Sequence, residues 1–344
     1  MKSSLPKTLL HLLLVLALAP SLACTQDTDE PFSNPPAGQE NNGFDGEGGG
    51  TWSSAAPITA GPRQEVSVVV LDREMIVLGG FDDALTIVPS GEAYDPATDT
   101  WRSIAPMPQR MHHANAGVID DKIYVAGFLT GRGFIPDGRG FVYDPDTDTW
   151  DAIAPMPPGT ERGASAPGVI DGKLYIAGGL RGSAVADTSV YDPQTDAWTE
   201  LSPMPHGVDH ATAATFDGKL YVFGGRFRNI ERHVNHVQIY DPATDSWSLG
   251  TPMPTSRAGL ASAVLGGRVH VLGGEGNPLH PSGVFSDNEA YDPSTDSWEI
   301  MRPMATRRHG TGAAALPDGR VCVPGGAPLI AFDATDIHEC YTLP

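Results

Sequence analysis

Lysine is nearly absent from this 344-residue chain, with only Lys2, Lys7, Lys122, Lys173 and Lys219 against 42 Asp plus Glu and a formal charge of -20. Non-specific binding to nucleic acid or to anionic lipid headgroups needs clustered basic residues that displace counterions, so this balance argues against both. Cysteine is scarce too, at three residues. Long apolar runs are missing beyond Leu9 to Leu18, and that run is too short for a stable membrane anchor. What the chain has in excess is 40 Gly and 31 Pro, about twice the usual usage. Such a composition argues against a helical bundle and for turn-dense, all-β structure.

The first fifty residues stand apart. Lys2 and Lys7 precede the apolar run, and Ala19, Ser21, Leu22 and Ala23 lead to Cys24, the pattern of a signal peptide over residues 1–23. Ser21-Leu22-Ala23-Cys24 resembles a bacterial lipobox, which implies lipidation of Cys24. Cleavage after Ala23 with a free thiol is the alternative, because Ser21 stands where lipoproteins prefer Leu. Residues 24–50 are acidic and rich in Gly, Pro and Asn, too poor in apolar surface to offset ordering entropy, and are expected to form a tether.

The six tryptophans fall at 52, 101, 150, 198, 247 and 298, at intervals of 48 to 51 residues. A period of this length points to propeller blades. Residues 155–198 show the unit: PMP, an apolar run ending at Val169-Ile170, the turn Asp171-Gly172, a second run into Gly178-Gly179, a variable loop, then Val190-Tyr191-Asp192-Pro193 and Trp198. Four short runs separated by turn signals predict a four-stranded meander, a to d. Gly-Gly recurs at 79–80, 178–179, 224–225, 273–274 and 325–326, with Gly127-Phe128 as the one departure, and Tyr recurs at 94, 143, 191, 240, 291 and 341.

These residues resemble the kelch repeat, and the resemblance implies an all-β, six-bladed propeller over residues 51–344. The first Trp has no repeat before it and the last Tyr no Trp after it, so Trp52 is expected to supply strand d of the blade that residues 307–344 begin. Such closure removes open sheet edges.

Strand alternation then separates two faces. The a-b and c-d turns, with their repeated Asp-Gly and Tyr-Asp-Pro segments, lie on one face and read as structural. The variable b-c and d-a loops lie on the other, with most of the Arg and His, and there a ligand-binding face is expected. At the start of strand a stand Arg63, Arg110, Arg162, Arg257 and Arg308, while one blade offers His206, Asp209 and His210 instead. Slightly further along, nominally on the same side, are Glu65, His113 and His210. As a ring the arginines would grip an anion; singly, each can bond loop carbonyls as part of the kelch pattern.

Candidate chemistry is thin. The run Glu231 to His236 contains an H-x-x-H without cysteine partners, which reads as a solvated loop, so no metal and no cofactor is expected. All nine tyrosines occupy repeated positions, which leaves none for a copper-radical centre. Resemblance to an exported sialic-acid mutarotase type of propeller singles out Glu275, with Arg226 or Arg257 nearby, as acid-base groups. Cys322 and Cys340 fall on adjoining strands and are either a disulfide or two small core residues. The sequence thus leads to an exported, lipid-tethered, monomeric binding module for a protein or glycan partner, touching membrane only through the anchor. A sugar-acid isomerase is the second reading.

Overall fold

The computed structural model describes residues 49–227 and 231–344. The leader, Cys24 and most of the tether lie outside the described residues. Among the described residues, twenty-four strands form six four-stranded antiparallel sheets. Blade 1 contains β2 (Ser67–Leu71), β3 (Glu74–Leu78), β4 (Gly91–Asp95) and β5 (Thr100–Ile104). Blade 2 contains β6 (Ala116–Ile119), β7 (Lys122–Thr130), β8 (Ile135–Asp144) and β9 (Thr149–Ile153). β10 (Ala166–Ile170) to β13 (Ala197–Leu201), β14 (Thr212–Phe216) to β17 (Ser246–Gly250), and β18 (Ala261–Leu265) to β21 (Ser297–Ile300) make blades 3 to 5.

Blade 6 is assembled from both ends of the propeller. Its order is β22 (Ala314–Ala315), β23 (Arg320–Pro324), β24 (His338–Thr342) and then β1 (Thr51–Ser54). Trp52 pairs with Tyr341, in the register that joins Tyr94 to Trp101 and each later Tyr to its Trp. The N-terminal segment stays zipped to this blade beyond the strand, through Ile58 N–H to Asp336 O at 3.0 Å and Arg63 N–H to Thr335 O at 2.9 Å.

Repetition in the sequence becomes a repeated clasp between blades. Tyr94 O–H donates to Asp99 Oδ1 at 2.8 Å, and the same carboxylate accepts Ala56 N–H at 2.8 Å from the end of strand d in the preceding blade. Trp101 Nε1–H donates to Ala56 O at 2.8 Å. Asp148, Asp196, Asp245 and Asp296 repeat this arrangement. Each of these Asp residues is at positive φ, a conformation that Asp tolerates better than most residues. Much of the negative charge on the turn face therefore holds neighbouring blades together.

The a-b turns at Asp171-Gly172 and Asp217-Gly218 have positive φ at both residues, as two-residue hairpins require. Asp318-Gly319 differs: only Gly319 has positive φ, and Gly319 N–H closes a four-residue turn onto Leu316 O at 3.0 Å. Cys322 and Cys340 are direct cross-strand partners and are disulfide-bonded. Beside them, His338 donates from Nδ1 to Ala56 O at 3.1 Å.

Burial pushes His338 down to about 4. Below its ordinary value of 6.5, the unfolded chain then binds a proton that the folded chain refuses, so stability falls as pH drops from about 6.5 towards 4. Thermal scans from pH 7.5 to 5 should show a falling Tm, and His338→Asn, which retains a donor for Ala56 O, should flatten that slope.

Candidate functional site

Six residues at one repeated position, just before strand a, close a ring around the propeller axis: Glu65, His113, Ala164, His210, Gly259 and Gly310. In every case the backbone N–H donates to the carbonyl of the same position in the preceding blade, at 2.5 to 3.1 Å, and Glu65 completes the circle by donating to Gly310. All six have positive φ, between 52° and 64°. Three therefore have little or no side chain, while Glu65, His113 and His210 project from blades 1, 2 and 4. Below the ring, the inner strands enclose a cavity of about 200 Å³ lined by small residues such as Ala116, Ser165, Thr212 and Gly312.

Around this mouth the loops add further charge. His113 Nε2 lies 2.8 Å from Glu65 Oε2, and His210 Nδ1 lies 2.6 Å from Asp209 Oδ1. Arg226 and Glu275 each directly follow a Gly-Gly doublet. Arg226 Nε–H donates to Asp209 at 2.7 Å, Nη2 to His210 Nε2 at 2.8 Å, and Nη1 to Glu275 Oε1 at 3.4 Å. His309 Nδ1 stands 3.7 Å from Glu275 Oε2 and 3.9 Å from Glu65 Oε1. The side chains of Glu65, Asp209 and Glu275 are only 11%, 6% and 9% exposed. Burial by itself raises the Glu65 carboxyl, but His113 beside it, with His309 and His210, outweighs burial and leaves it below the ordinary carboxylate range. His112 is pushed down to about 3, first by burial and then by His113.

Of the two readings of the repeated arginines, carbonyl bonding rather than an anion fork describes the buried ones. Arg162, Arg257 and Arg308 are 0 to 1% exposed, and their guanidiniums donate inward to the carbonyls of Ile176, Gly273 and Val323 among others. Arg257 and Arg308 also pair with Glu289 and Glu339, each at 2.8 Å. Arg63 is buried and donates to Ser90 Oγ at 2.6 Å. Arg110 instead lies exposed and donates to Ile87 O: it stands three residues before the ring position, not two, and buried Met111 takes the place of the other arginines, its carbonyl accepting Gly80 N–H as Arg257 O accepts Gly225 N–H. Blade 4, which lacks the arginine, substitutes Gln238, whose amide bonds both N–H and O of His206. Arg257 therefore does not meet Glu275, whereas Arg226 does. Neither three-ligand cluster of His, Cys and acidic side chains among the described residues includes the His233 to His236 loop.

Sequence comparison agrees with this architecture. Residues 50–208 match the KLHDC2/KLHL20/DRC7 Kelch-repeats domain, and residues 209–254 and 256–305 match the Kelch motif. The chain is 33% identical over 317 residues to Kelch-like protein terF of Aspergillus terreus, covering 86% of this chain and 68% of that protein. The chain is a kelch-repeat protein. Another kelch relative, Kelch-like protein 35 of Mus musculus, is 35% identical over 77 residues, 22% of this chain and 13% of that protein. The solved structure of YjhT superposes with a TM-score of 0.68 at 16% identity, covering 82% of this chain and 95% of that one, a likeness of fold.

Sequence reasoning missed the rim of this kelch mouth. The b-c hairpin of blade 2 is longer than the others, with a bulge at Ala126/Phe128, where Gly127-Phe128 replaces the usual doublet. It carries Phe134, whose ring packs against His112 and His113 at 5.1 and 5.4 Å. Phe332 reaches in from the b-c loop of blade 6 to meet Phe81 at 5.3 Å. Of the seven large apolar residues exposed among the described ones, Ile135, Leu279, Leu329, Ile330 and Phe332 belong to b-c connections, so apolar surface concentrates on the loop face. Loop positions Leu85, Phe134 and Ala331 are held at positive φ, the kind of backbone strain that gathers at functional surfaces. Gln64 fixes one such loop, donating to Ala331 O at 2.9 Å and accepting from Asp333 N–H at 2.7 Å.

Proposed function

We propose that this kelch propeller is an exported module, tethered by lipid at Cys24, that binds a partner protein with its loop face. The observation carrying the binding reading is the rim: exposed Leu329, Ile330 and Phe332 beside a buried, charge-dense mouth. Apolar anchors around polar groups with limited water access are the arrangement in which few residues supply most of a binding energy. The turn face offers a repeated row of clasped Asp residues instead. The signal-peptide pattern and the acidic segment after Cys24 support export and tethering. Cys24→Ser should move the protein from the membrane to the soluble fraction.

A second reading rests on a separate observation: Glu275, Arg226 and His309 meet in one partly buried pocket, as acid-base chemistry on a sugar acid would require. Calorimetry with acidic monosaccharides separates the two. The binding-module reading predicts no saturable heat with these sugars, whereas saturable heat lost in Glu275→Gln would favour the isomerase.

A further inference from the structure

Buried carboxylates outnumber the guanidinium at the channel mouth. His112 Nε2 lies 3.1 Å from Gly131 O and donates to it, which leaves His112 Nδ1 as an acceptor in the neutral ring. His113 Nδ1, 2.5 Å away, must then be the donor of that pair, which leaves His113 Nε2 with a lone pair in the neutral ring and with an N–H in the cation. That nitrogen stands 2.8 Å from Glu65 Oε2, buried and without a hydrogen-bond partner. His309 is held alike: its Nε2 donates to Leu329 O at 2.9 Å, and its Nδ1 faces Glu65 and Glu275. Three buried carboxylates, Glu65, Asp209 and Glu275, face one guanidinium, Arg226, and three imidazoles. One guanidinium leaves two of the three carboxylate charges to be balanced by protons on the imidazoles or by a bound cation, and uncompensated buried charge is costly.

We propose that a divalent transition-metal ion of the zinc type supplies this charge, held by Glu65, His113 and His210. One ligand atom from each lies within 4.8 Å of the others. Two imidazoles and one carboxylate suit a borderline ion, and three protein ligands leave a position open. The ligands stand on the closed backbone ring and so are preorganised by the fold. Gly310 makes room for the Glu65 carboxylate, since a Cβ there would come within 2.6 Å of Oε1. His210 Nε2 now accepts from Arg226, so a metal using that atom displaces this contact, while Arg226 keeps Asp209 and Glu275. An oxygen ligand from a bound partner could complete the coordination across the small positions Ala164, Gly259 and Gly310.

Titrating the full metal-stripped chain with zinc chloride tests the site, with cobalt chloride as the spectroscopic probe. One zinc per chain is expected. Glu65→Gln or His113→Asn should weaken it by more than about 100-fold, the upper limit for losing a mere outer partner of a ligand, while His236→Asn should not. Cobalt should give visible ligand-field bands with histidine nitrogen couplings in pulsed EPR and no thiolate charge-transfer band. This spectrum is read on the unaltered protein, so it decides even where a variant fails to fold. The proposal is overturned by the absence of saturable binding, by binding that survives both channel substitutions, or by a thiolate band, which would mean that the Cys322–Cys340 disulfide had been reduced and the metal held there with His338.

Discussion

Excising residues 49–54 lowers the thermal stability of the propeller by about 10 °C or more. The deletion removes β1 and with it the Trp52–Tyr341 pair, whose ring centroids are 5.3 Å apart, and the bond from Trp52 Nε1–H to Arg302 O at 3.0 Å. Strand β24 is left as an open edge next to the buried disulfide, and the clasp between blades 5 and 6 is lost. The combined cost exceeds the usual single-site range of about 0.5–3 kcal/mol. At about 2–4 °C per kcal/mol for large domains, it is visible in any thermal scan. A Tm within error of the intact chain would mean that the ring closes without this strand.

The second large effect is expected at Arg308. Its Nη1 group donates to Val323 O, Gly325 O and Ile337 O, and Nη2 to Glu339 Oε2 at 2.8 Å, all out of contact with water. Burial lowers the guanidinium only to about 10, so it stays charged at neutral pH. Arg308→Met leaves Glu339 as an unpaired buried carboxylate and three carbonyls without their donor, a loss of about 3–5 kcal/mol. Arg162 provides the control. Its partners are carbonyls and Ser189 Oγ, so Arg162→Met strands no charge and should cost less. Adding Glu339→Gln to Arg308→Met should recover part of the loss, and a double-mutant cycle in denaturant measures how much.

The arginines show where a sequence pattern stops being informative. Their recurrence was plain, and so was the option that each bonds loop carbonyls. Which way a guanidinium turns depends on register and on strand c of its own blade, about thirty residues later: Glu289, Glu339 or Ser189 accepts an arginine two residues before the ring position, whereas Arg110 stands one residue too early and Met111 fills the buried place. Glu65, His113 and His210 were legible as neighbours because strand alternation puts them on one side. Nothing local announced that His112 and His309, each one residue before the ring position, would orient or face them. The blades themselves were easy to read because Tyr, Trp, Asp and the Gly-Gly doublets perform the same contact six times or nearly so. The rim was not, since Phe134 and Phe332 lie in loops that follow no repeat. The bulge that lifts Phe134 had one trace in the sequence, the loss of the second Gly at Gly127-Phe128.

Loop-face binding is tested most directly by site-specific photo-cross-linking in living cells that produce the full chain. A photoreactive phenylalanine analogue at Phe332 samples the apolar rim, and the same analogue at Gln194, in the c-d turn of blade 3, samples the opposite face. A discrete higher-mass adduct from position 332 and none from position 194 is the predicted result. Adducts from position 194 alone, or none from any loop-face position, would contradict it.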